Sequence, residues 1–245
     1  IELLAAREGL LDRLAVAHRI ALRVRFEALR DAAAGGIDDV AMAARSLRHA
    51  ALGWLSRVDG GDAARELWRE ARTMTARLAA LRALLHVRAE GHEAARAAFE
   101  AEFIEHPLVT DKWIALVATR PHPDALVDIE ALLAGPHWLP TNPNRVRALI
   151  GSVARSNPMV FHRVDGAGYR FVVAQALALD AINPQVAARL LGAFEGLPRW
   201  SVPAQAQARA ALTPMREGLR SRDVAEVLAR LEPEPRAQSA AARPA

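Results

Sequence analysis

Apolar residues recur at intervals of three and four along almost the whole chain, with polar and charged residues between them. This period predicts amphipathic α-helices. Glycines and prolines interrupt the pattern and divide it into about a dozen helices, the first of which has an internal interruption. The predicted spans are 3–33, 38–58, 62–71, 74–90, 92–105, 109–119, 123–134, 143–155, 158–163, 169–181, 184–195, 203–218 and 221–231.

The composition favours the same fold class. Aromatic residues make up 5% of the 245 residues, whereas alanine, leucine and arginine are abundant. These three residue types are strong helix formers, while strands are rich in aromatic and β-branched residues. We therefore predict an all-α protein.

The predicted helices are joined by short loops, so consecutive helices should pack as antiparallel pairs. Stacked helix pairs without strands are typical of an α-solenoid of the armadillo or HEAT kind. Exact internal repeats are not visible, and an irregular helical bundle therefore stays open as an alternative.

Most of the chain is expected to form this helical domain, which we place at residues 1–232. The hydrophobic fraction of 52% is ample for a continuous core. The segment 233–245 contains three prolines, several alanines and a serine but no apolar face. We predict that this tail is disordered.

Charge, apolar runs and cysteine content limit the function classes that the chain can belong to. The formal net charge is +4, but the arginines are interspersed with acids and form no basic block with aromatic residues, so no nucleic-acid partner is expected. No apolar run approaches the roughly 20 residues that cross a bilayer, so no membrane association is expected. The absence of cysteine excludes disulfides and fits a cytoplasmic location. The start at Ile1 shows neither an initiating methionine nor a signal-peptide pattern, which suggests that the chain is cut from a longer protein.

Three Asn-Pro pairs mark helix starts. Asn142, Asn157 and Asn183 each precede a proline. Asparagine is a favoured N-cap residue, and proline suits the first helical position because its missing N–H would have no partner there. Each pair therefore predicts a helix that begins at the proline.

No metal or catalytic centre is predicted within the chain. The segment His92-Glu93-Ala94-Ala95-Arg96 is one residue away from the zincin pattern. Arg96 stands where the second histidine should be, and a guanidinium has no lone pair for a metal. We expect an exposed helix start after Gly91 instead.

The remaining histidines do not lie at ligand spacing, and no Ser-His-Asp or Cys-His arrangement can be argued. The glycines of Asp165-Gly166-Ala167-Gly168 indicate a turn, since no strand precedes them and the third glycine of a dinucleotide motif is missing.

The helix after Pro184 carries two polar residues on one face. Gln185 and Arg189 are four residues apart, while Val186 and Leu190 should take the buried side. Arg147 lies one turn into the helix after Pro143. Taken alone, the two arginines are best explained as partners of carboxylates between helices.

The same region carries a family resemblance. The chain resembles the C-terminal helical domain of bacterial aminopeptidase N, a family of zinc aminopeptidases. The resembling segments are Asn142 to Gly151, Ser156-Asn157-Pro158, Phe161-His162, Asp165 to Tyr169, Asn183 to Ala187, Arg45 to Arg48, Leu52 to Leu55, Met74 to Leu81, Leu108 to Trp113, Leu197 to Trp200 and Ala208 to Leu212.

The resemblance implies a right-handed superhelix of armadillo- or HEAT-like helix pairs that packs across a catalytic domain of the same polypeptide. In that family the helical domain closes an internal cavity and controls peptide access. Arg147, Gln185 and Arg189 match family positions that line this cavity opposite the zinc, where they can contact the distal part of a peptide substrate.

The family's catalytic parts are absent from this sequence. The zinc motif H-E-x-x-H with its downstream glutamate and the Gly-x-Met-Glu-Asn segment do not occur. The only tyrosine, Tyr169, lies in one of the resembling segments, Asp165 to Tyr169. The resemblance thus implies a non-catalytic domain of a zinc-dependent aminopeptidase, with zinc held elsewhere. A free-standing helical-repeat scaffold that binds protein partners in a concave groove is the alternative.

Overall fold

The computed structural model describes residues 2–34, 36–122, 124–218 and 220–231. All regular elements in these ranges are helical, as the apolar period predicts. The α-helices are α1 (Glu2–Ala17), α2 (Arg19–Ala28), α3 (Arg30–Ala34), α4 (Asp39–Leu55), α5 (Asp62–Glu70), α6 (Met74–Val87), α7 (His92–Phe103), α8 (Pro107–Ala118), α9 (Ala125–Ala134), α10 (Pro143–Val146), α11 (Ser152–Ser156), α12 (Pro158–Phe161), α13 (Ala167–Asp180), α14 (Pro184–Leu191), α15 (Val202–Glu217) and α16 (Arg222–Leu231).

The helix bounds follow the predicted spans closely. The long first span is divided into α1, α2 and α3, which confirms the expected interruption. Short 3-10 turns follow α14, at Gly192–Phe194 and Leu197–Arg199. The predicted disordered tail at 233–245 lies outside the described residues. None of the helices in the described ranges is long and apolar enough to cross a membrane.

The chain divides into two compact units, the first of which ends at Leu132. In this unit α4 packs against α2, α3 and α6, while α6 also packs against α5 and α7. Neighbours in sequence are thus neighbours in space, as expected of helix pairs. Arg48 of α4 is buried here; its Nε donates to the Phe26 carbonyl at 3.2 Å, and its guanidinium lies 4.4 Å from the centre of the Phe26 ring.

The second unit begins at Leu133. Its central helix α13 packs against α14 and α15, and α14 packs against α16. A cluster of rings holds α12, α13 and the segment after α14 together. Phe161, Tyr169, Phe194 and Trp200 pack with ring centroids 5.1 to 6.1 Å apart.

All three predicted asparagine caps are present. The side chain of Asn142 accepts hydrogen bonds from the backbone N–H groups of Asn144 and Arg145. Asn157 and Asn183 each accept one from the third residue after them. Such a cap stabilises a helix by about 1 kcal/mol, because it gives a partner to an N–H that the helix itself leaves unbonded.

One local feature was not predicted. The helix that starts at Pro143 changes into a π-helical turn over Arg147–Gly151 and returns to α-helix at Ser152. A π turn holds an extra residue, because its hydrogen bonds run from i to i+5, and such turns often occur at functional sites.

Candidate functional site

The second unit contains a cavity of about 260 Å³ between the helical stretch 143–156 and α14. Its lining combines cationic, small and apolar residues. They are Pro143, Val146, Arg147, Gly151, Ser152, Arg155, Ser156, Val186, Arg189 and Leu190. The structure therefore brings together Arg147 and Arg189, which the sequence placed 42 residues apart, and adds Arg155.

The π turn explains why Arg147 and Arg155 line the same cavity. In a regular α-helix two residues eight positions apart are about 80° out of phase, since each residue turns the helix by about 100°. The extra residue in the π turn reduces this difference. Gly151 lies between them, and a β-carbon there would stand 3.4 Å from Cγ of Arg147. A glycine at this position thus leaves room for the stem of Arg147.

Two of the three arginine side chains are held by neutral groups. Arg147 Nη2 donates to Asn144 Oδ1 at 3.0 Å, and Arg155 Nη2 donates to the main-chain carbonyl of Arg189 at 2.8 Å. Within the described residues none of the three forms an ion pair with a carboxylate, and no acidic residue lines the cavity. The explanation of Arg147 and Arg189 as structural ion pairs is therefore not supported.

The cavity consequently carries three positive charges without a counter-charge among its lining residues. Guanidinium groups present planar sets of N–H donors that match the two oxygens of a carboxylate. Val186 and Leu190 add apolar contact surface beside Arg189. Chemically, the arrangement suits a carboxylate, or a peptide carbonyl, attached to an apolar group.

The third residue predicted for the site lies apart from this cavity. Gln185 is exposed on α14, one turn before Arg189, and it is not a lining residue. Val186, predicted to take the buried side with Leu190, is only partly buried, and both residues line the cavity. The sequence did not indicate Arg155, because an arginine near the end of a short helix is usually exposed to solvent.

The predicted turn at Asp165 is present at the start of α13. Gly166 has φ +70°, and Asp165 Oδ1 accepts a hydrogen bond from the N–H of Ala167. The adjacent Arg163 guanidinium, together with that N–H, lowers the pKa of Asp165 to about 2. The turn thus fixes the start of α13, which is what the glycines predict.

Phe161, His162 and Tyr169, which belong to the resembling segments, are packing residues of the ring cluster. The Tyr169 hydroxyl lies 2.7 Å from His162 Nδ1, and Tyr169 is 1% exposed. Burial raises the pKa of Tyr169 to about 12 and lowers the pKa of His162. Both pKa shifts favour the neutral form of the side chain, so the Tyr169 hydroxyl can donate a hydrogen bond to His162 Nδ1. These groups stabilise the unit and do not line the arginine cavity.

The near-zincin segment is a helix start. Gly91 precedes α7, His92 Nδ1 lies 2.8 Å from the Ala89 carbonyl, and Glu93 pairs with Arg96 at 2.8 Å. In the ranges that the structure describes, no group of three or more His, Cys, Asp or Glu side chains could hold a metal ion. Within those ranges the residues therefore do not fit a zinc centre.

Comparison with known proteins places the chain in a family. Residues 1–232 match the family described as a domain of unknown function (DUF3458_C) with ARM repeats. Together with the all-helical structure, this match confirms the predicted all-α fold of the armadillo-like solenoid class.

Three relatives are named aminopeptidase N. The chain is 40% identical to the Escherichia coli (strain K12) protein over 143 residues, or 58% of this chain and 16% of that protein. It is 41% identical to the Caulobacter vibrioides protein over 130 residues, or 53% and 15%. The Haemophilus influenzae protein is 36% identical over 172 residues, or 70% and 20%. The matched parts thus span only a fifth or less of these relatives.

A solved structure has the same fold. The chain superimposes with a TM-score of 0.81 and 25% identity on Legionella pneumophila aminopeptidase A in complex with aspartic acid, covering 92% of this chain and 28% of that one. All of these similarities point to a helical part of larger proteins.

Proposed function

The chain belongs to the DUF3458_C ARM-repeat family, and on that premise we propose that it is the C-terminal helical domain of a zinc-dependent aminopeptidase of the aminopeptidase N type. In this proposal another part of the same polypeptide releases N-terminal amino acids from peptides. The helical domain closes the active-site cavity and controls the access of peptides to it. The similarity to three aminopeptidases N and to the aminopeptidase A structure supports this assignment.

The observation that carries the proposal is the cavity lined by Arg147, Arg155 and Arg189 without an acidic residue. An aminopeptidase holds the N-terminus of its substrate at the catalytic centre, so the far end of a short peptide is a carboxylate. The three guanidinium groups would bind that carboxylate or the nearby carbonyls. Enclosure in the full enzyme would strengthen each contact, since charges interact more strongly at low dielectric. Gln185 would add a hydrogen bond to the peptide from the neighbouring turn.

The catalytic chemistry belongs to the other part of the enzyme in this proposal. Zinc would be held there, and the present chain would contribute binding and exclusion of water. We expect that this chain alone leaves a fluorogenic alanyl substrate uncleaved even when zinc is added. Measurable zinc-dependent turnover by the chain would contradict this division of roles. The cytoplasmic location stays a prediction.

The proposal is tested with the full-length enzyme by comparing KM for tetra-alanine with KM for the single-residue substrate alanine p-nitroanilide. Arg147→Ala and Arg189→Ala should each raise KM for the peptide by about tenfold, since a charge-assisted hydrogen bond contributes about 1.5 kcal/mol or more. Alanine p-nitroanilide does not reach the distal site, so its KM should stay within about twofold.

Arg199→Ala is the matched control, because Arg199 is exposed in the same unit but does not line the cavity. It should leave both KM values unchanged. An equal rise in KM for both substrates in the cavity variants would favour a merely structural role for the two arginines.

A further inference from the structure

The first unit contains a second and larger cavity, of about 480 Å³, which no part of the proposed function uses. Side chains of α1, α4 and α6 form it together with the residues just after α4. They are Arg7, Leu11, His49, Ala50, Gly53, Trp54, Ser56, Arg57, Thr75, Leu78, Ala79, Arg82, Ala83 and His86. Its volume falls in the range of roughly 300 to 1,000 Å³ that is usual for small-molecule sites.

Arg57 is a fixed cation in the wall of this cavity. Its side chain is 11% exposed, and two carboxylates of α1 hold it: Glu8 Oε2 at 2.5 Å and Asp12 Oδ1 at 2.6 Å. Arg57 Nη2 also lies 3.3 Å from His86 Nε2. A guanidinium can only donate, so Nε2 of His86 accepts and its ring proton must be on Nδ1. His86 therefore brings one N–H donor that Arg57 does not use.

The two histidines of the cavity have pKa values below the ordinary 6.5, which favours their neutral forms. Desolvation and the Arg57 cation lower the pKa of His86. Burial lowers the pKa of His49, and Arg48, Arg45 and Arg82 lower it further. Neutral imidazoles can take part in hydrogen bonds without adding charge, so the charge of the cavity comes from its arginines.

Arg82 and Arg7 are the cations that a ligand can reach. Arg82 is exposed and forms no ion pair in the part of the chain that the structure describes. Arg7 pairs with Glu8 at 2.5 Å but stays 65% exposed. No acidic residue is among the lining residues. The polar side of the cavity is therefore dominated by donors and suits a ligand that carries acceptors and negative charge.

The other walls are apolar. Leu11, Trp54 and Leu78, with three alanines, supply this surface. A ligand that consisted only of an anionic group would leave this apolar surface in contact with water. An apolar group on the ligand would bury the surface, and each square ångström of apolar surface buried contributes about 25 cal/mol. Trp54 adds a flat ring against which an aromatic group can pack.

We propose that this cavity binds a small organic carboxylate with an aromatic body. The carboxylate lies at Arg7 and Arg82, with the His86 N–H as a further donor, and the ring packs against Trp54. This site is separate from the arginine cavity of the second unit, and the proposal does not depend on the proposed peptidase function.

The test uses the 245-residue chain, ¹⁵N-labelled at its five tryptophans, with phenylacetate as the probe and neutral phenylacetamide as the matched compound. The indole N–H signal of Trp54, assigned with Trp54→Phe, should shift and saturate with phenylacetate at a Kd of about 1 mM, a range expected for so small a ligand. The signal of Trp138, which lies in the other unit, should not move. Phenylacetamide should bind at least about tenfold more weakly, because it lacks the charge.

Two variants separate binding in the cavity from binding elsewhere. Gly53 lines the cavity, and a β-carbon there would meet no atom within 4 Å. Gly53→Leu should therefore fill space in the cavity without strain and abolish the shift. Gly9→Leu is the control: Gly9 is equally open in α1 but does not line the cavity, so this variant should bind phenylacetate like the parent. Arg82→Gln should weaken binding about tenfold.

Three results would overturn the proposal. They are an absence of any saturable shift of Trp54, an equal affinity for phenylacetate and phenylacetamide, and unchanged phenylacetate binding by Gly53→Leu. None of these outcomes bears on the arginine cavity, so failure here is distinguishable from failure of the proposed peptidase role.

Discussion

Arg155 Nη2 donates a hydrogen bond to the main-chain carbonyl of Arg189 at 2.8 Å. Arg189 lies in the last turn of α14, where carbonyls lack partners within the helix and carry the negative end of the helix dipole. A cation at this point stabilises the helix end. The bond also joins α14 to α11, which continues the helical stretch that carries Arg147, so it fixes the spacing of the arginine cavity.

Replacing Arg155 should therefore affect both stability and substrate binding. Arg155→Ala should lower the free energy of unfolding by about 1 kcal/mol, the usual contribution of such a hydrogen bond. In the full-length enzyme it should raise KM for tetra-alanine about fivefold, since a positive charge is lost and the Arg189 backbone is less fixed. Urea denaturation and steady-state kinetics measure the two effects. A variant that lost stability at an unchanged peptide KM would show that Arg155 only caps α14.

Gly168 has no space for a side chain. A β-carbon there would lie 2.1 Å from the Val160 carbonyl oxygen and 2.5 Å from that of Phe161. These are backbone atoms of α12 and cannot move independently, so Gly168→Ala should destabilise the chain by at least about 2 kcal/mol in urea denaturation. Gly9→Ala is the control, because Gly9 is open and helical; it should stabilise by about 0.5 to 1 kcal/mol. Equal stabilities of the two variants would contradict the close packing of α12 and α13.

Tyr169 is the only tyrosine, so its ionisation can be followed directly by absorbance. Burial raises its pKa from the ordinary value of 10.0 to about 12. The unfolded chain therefore ionises first, and the free energy of unfolding should decline between about pH 10 and pH 12. The absorbance change of the folded chain should have its midpoint near pH 12, and that of the chain in guanidinium near pH 10. A folded midpoint near pH 10 would mean that the hydroxyl is accessible to water.

Acid should also destabilise the chain, because three of its histidines have lowered pKa values. Burial lowers the pKa of His162 below the ordinary 6.5, so the unfolded chain takes up the proton first as the pH falls. Stability is thus retained above about pH 6.5 and declines below it, and His49 and His86 act in the same direction. His162→Gln should flatten the fall in Tm between pH 7 and pH 5. A parallel fall in parent and variant would exclude His162 as a cause.

Much of the fold could be predicted from local sequence. The period of apolar residues predicted the helices. Three helix starts were predicted correctly from Asn142, Asn157 and Asn183, because capping depends on residues close in the chain. The π turn at Arg147–Gly151 could not be predicted, since the apolar pattern resembles that of an ordinary helix and the extra residue is accommodated by packing.

The candidate site could be predicted only in part. The family resemblance predicted Arg147, Gln185 and Arg189; the structure brings the two arginines to one cavity, which Gln185 does not line. Arg155 joins them through the π turn and a contact with α14 that spans 34 residues, and no local pattern indicates such a contact. The role of Tyr169 depends in the same way on rings as distant as Trp200. Contacts between residues so far apart in the sequence can be recognised only from the packing of the helices.

The most direct test of the account asks whether the three arginines recognise the far end of a peptide. In the full-length enzyme, kcat/KM is measured for tri-alanine and for tri-alanine amide, with the parent and with a variant that combines Arg147→Gln, Arg155→Gln and Arg189→Gln. The account predicts that the parent prefers the free carboxylate by about tenfold and that the variant shows no preference. The same preference for the free carboxylate in parent and variant would contradict it.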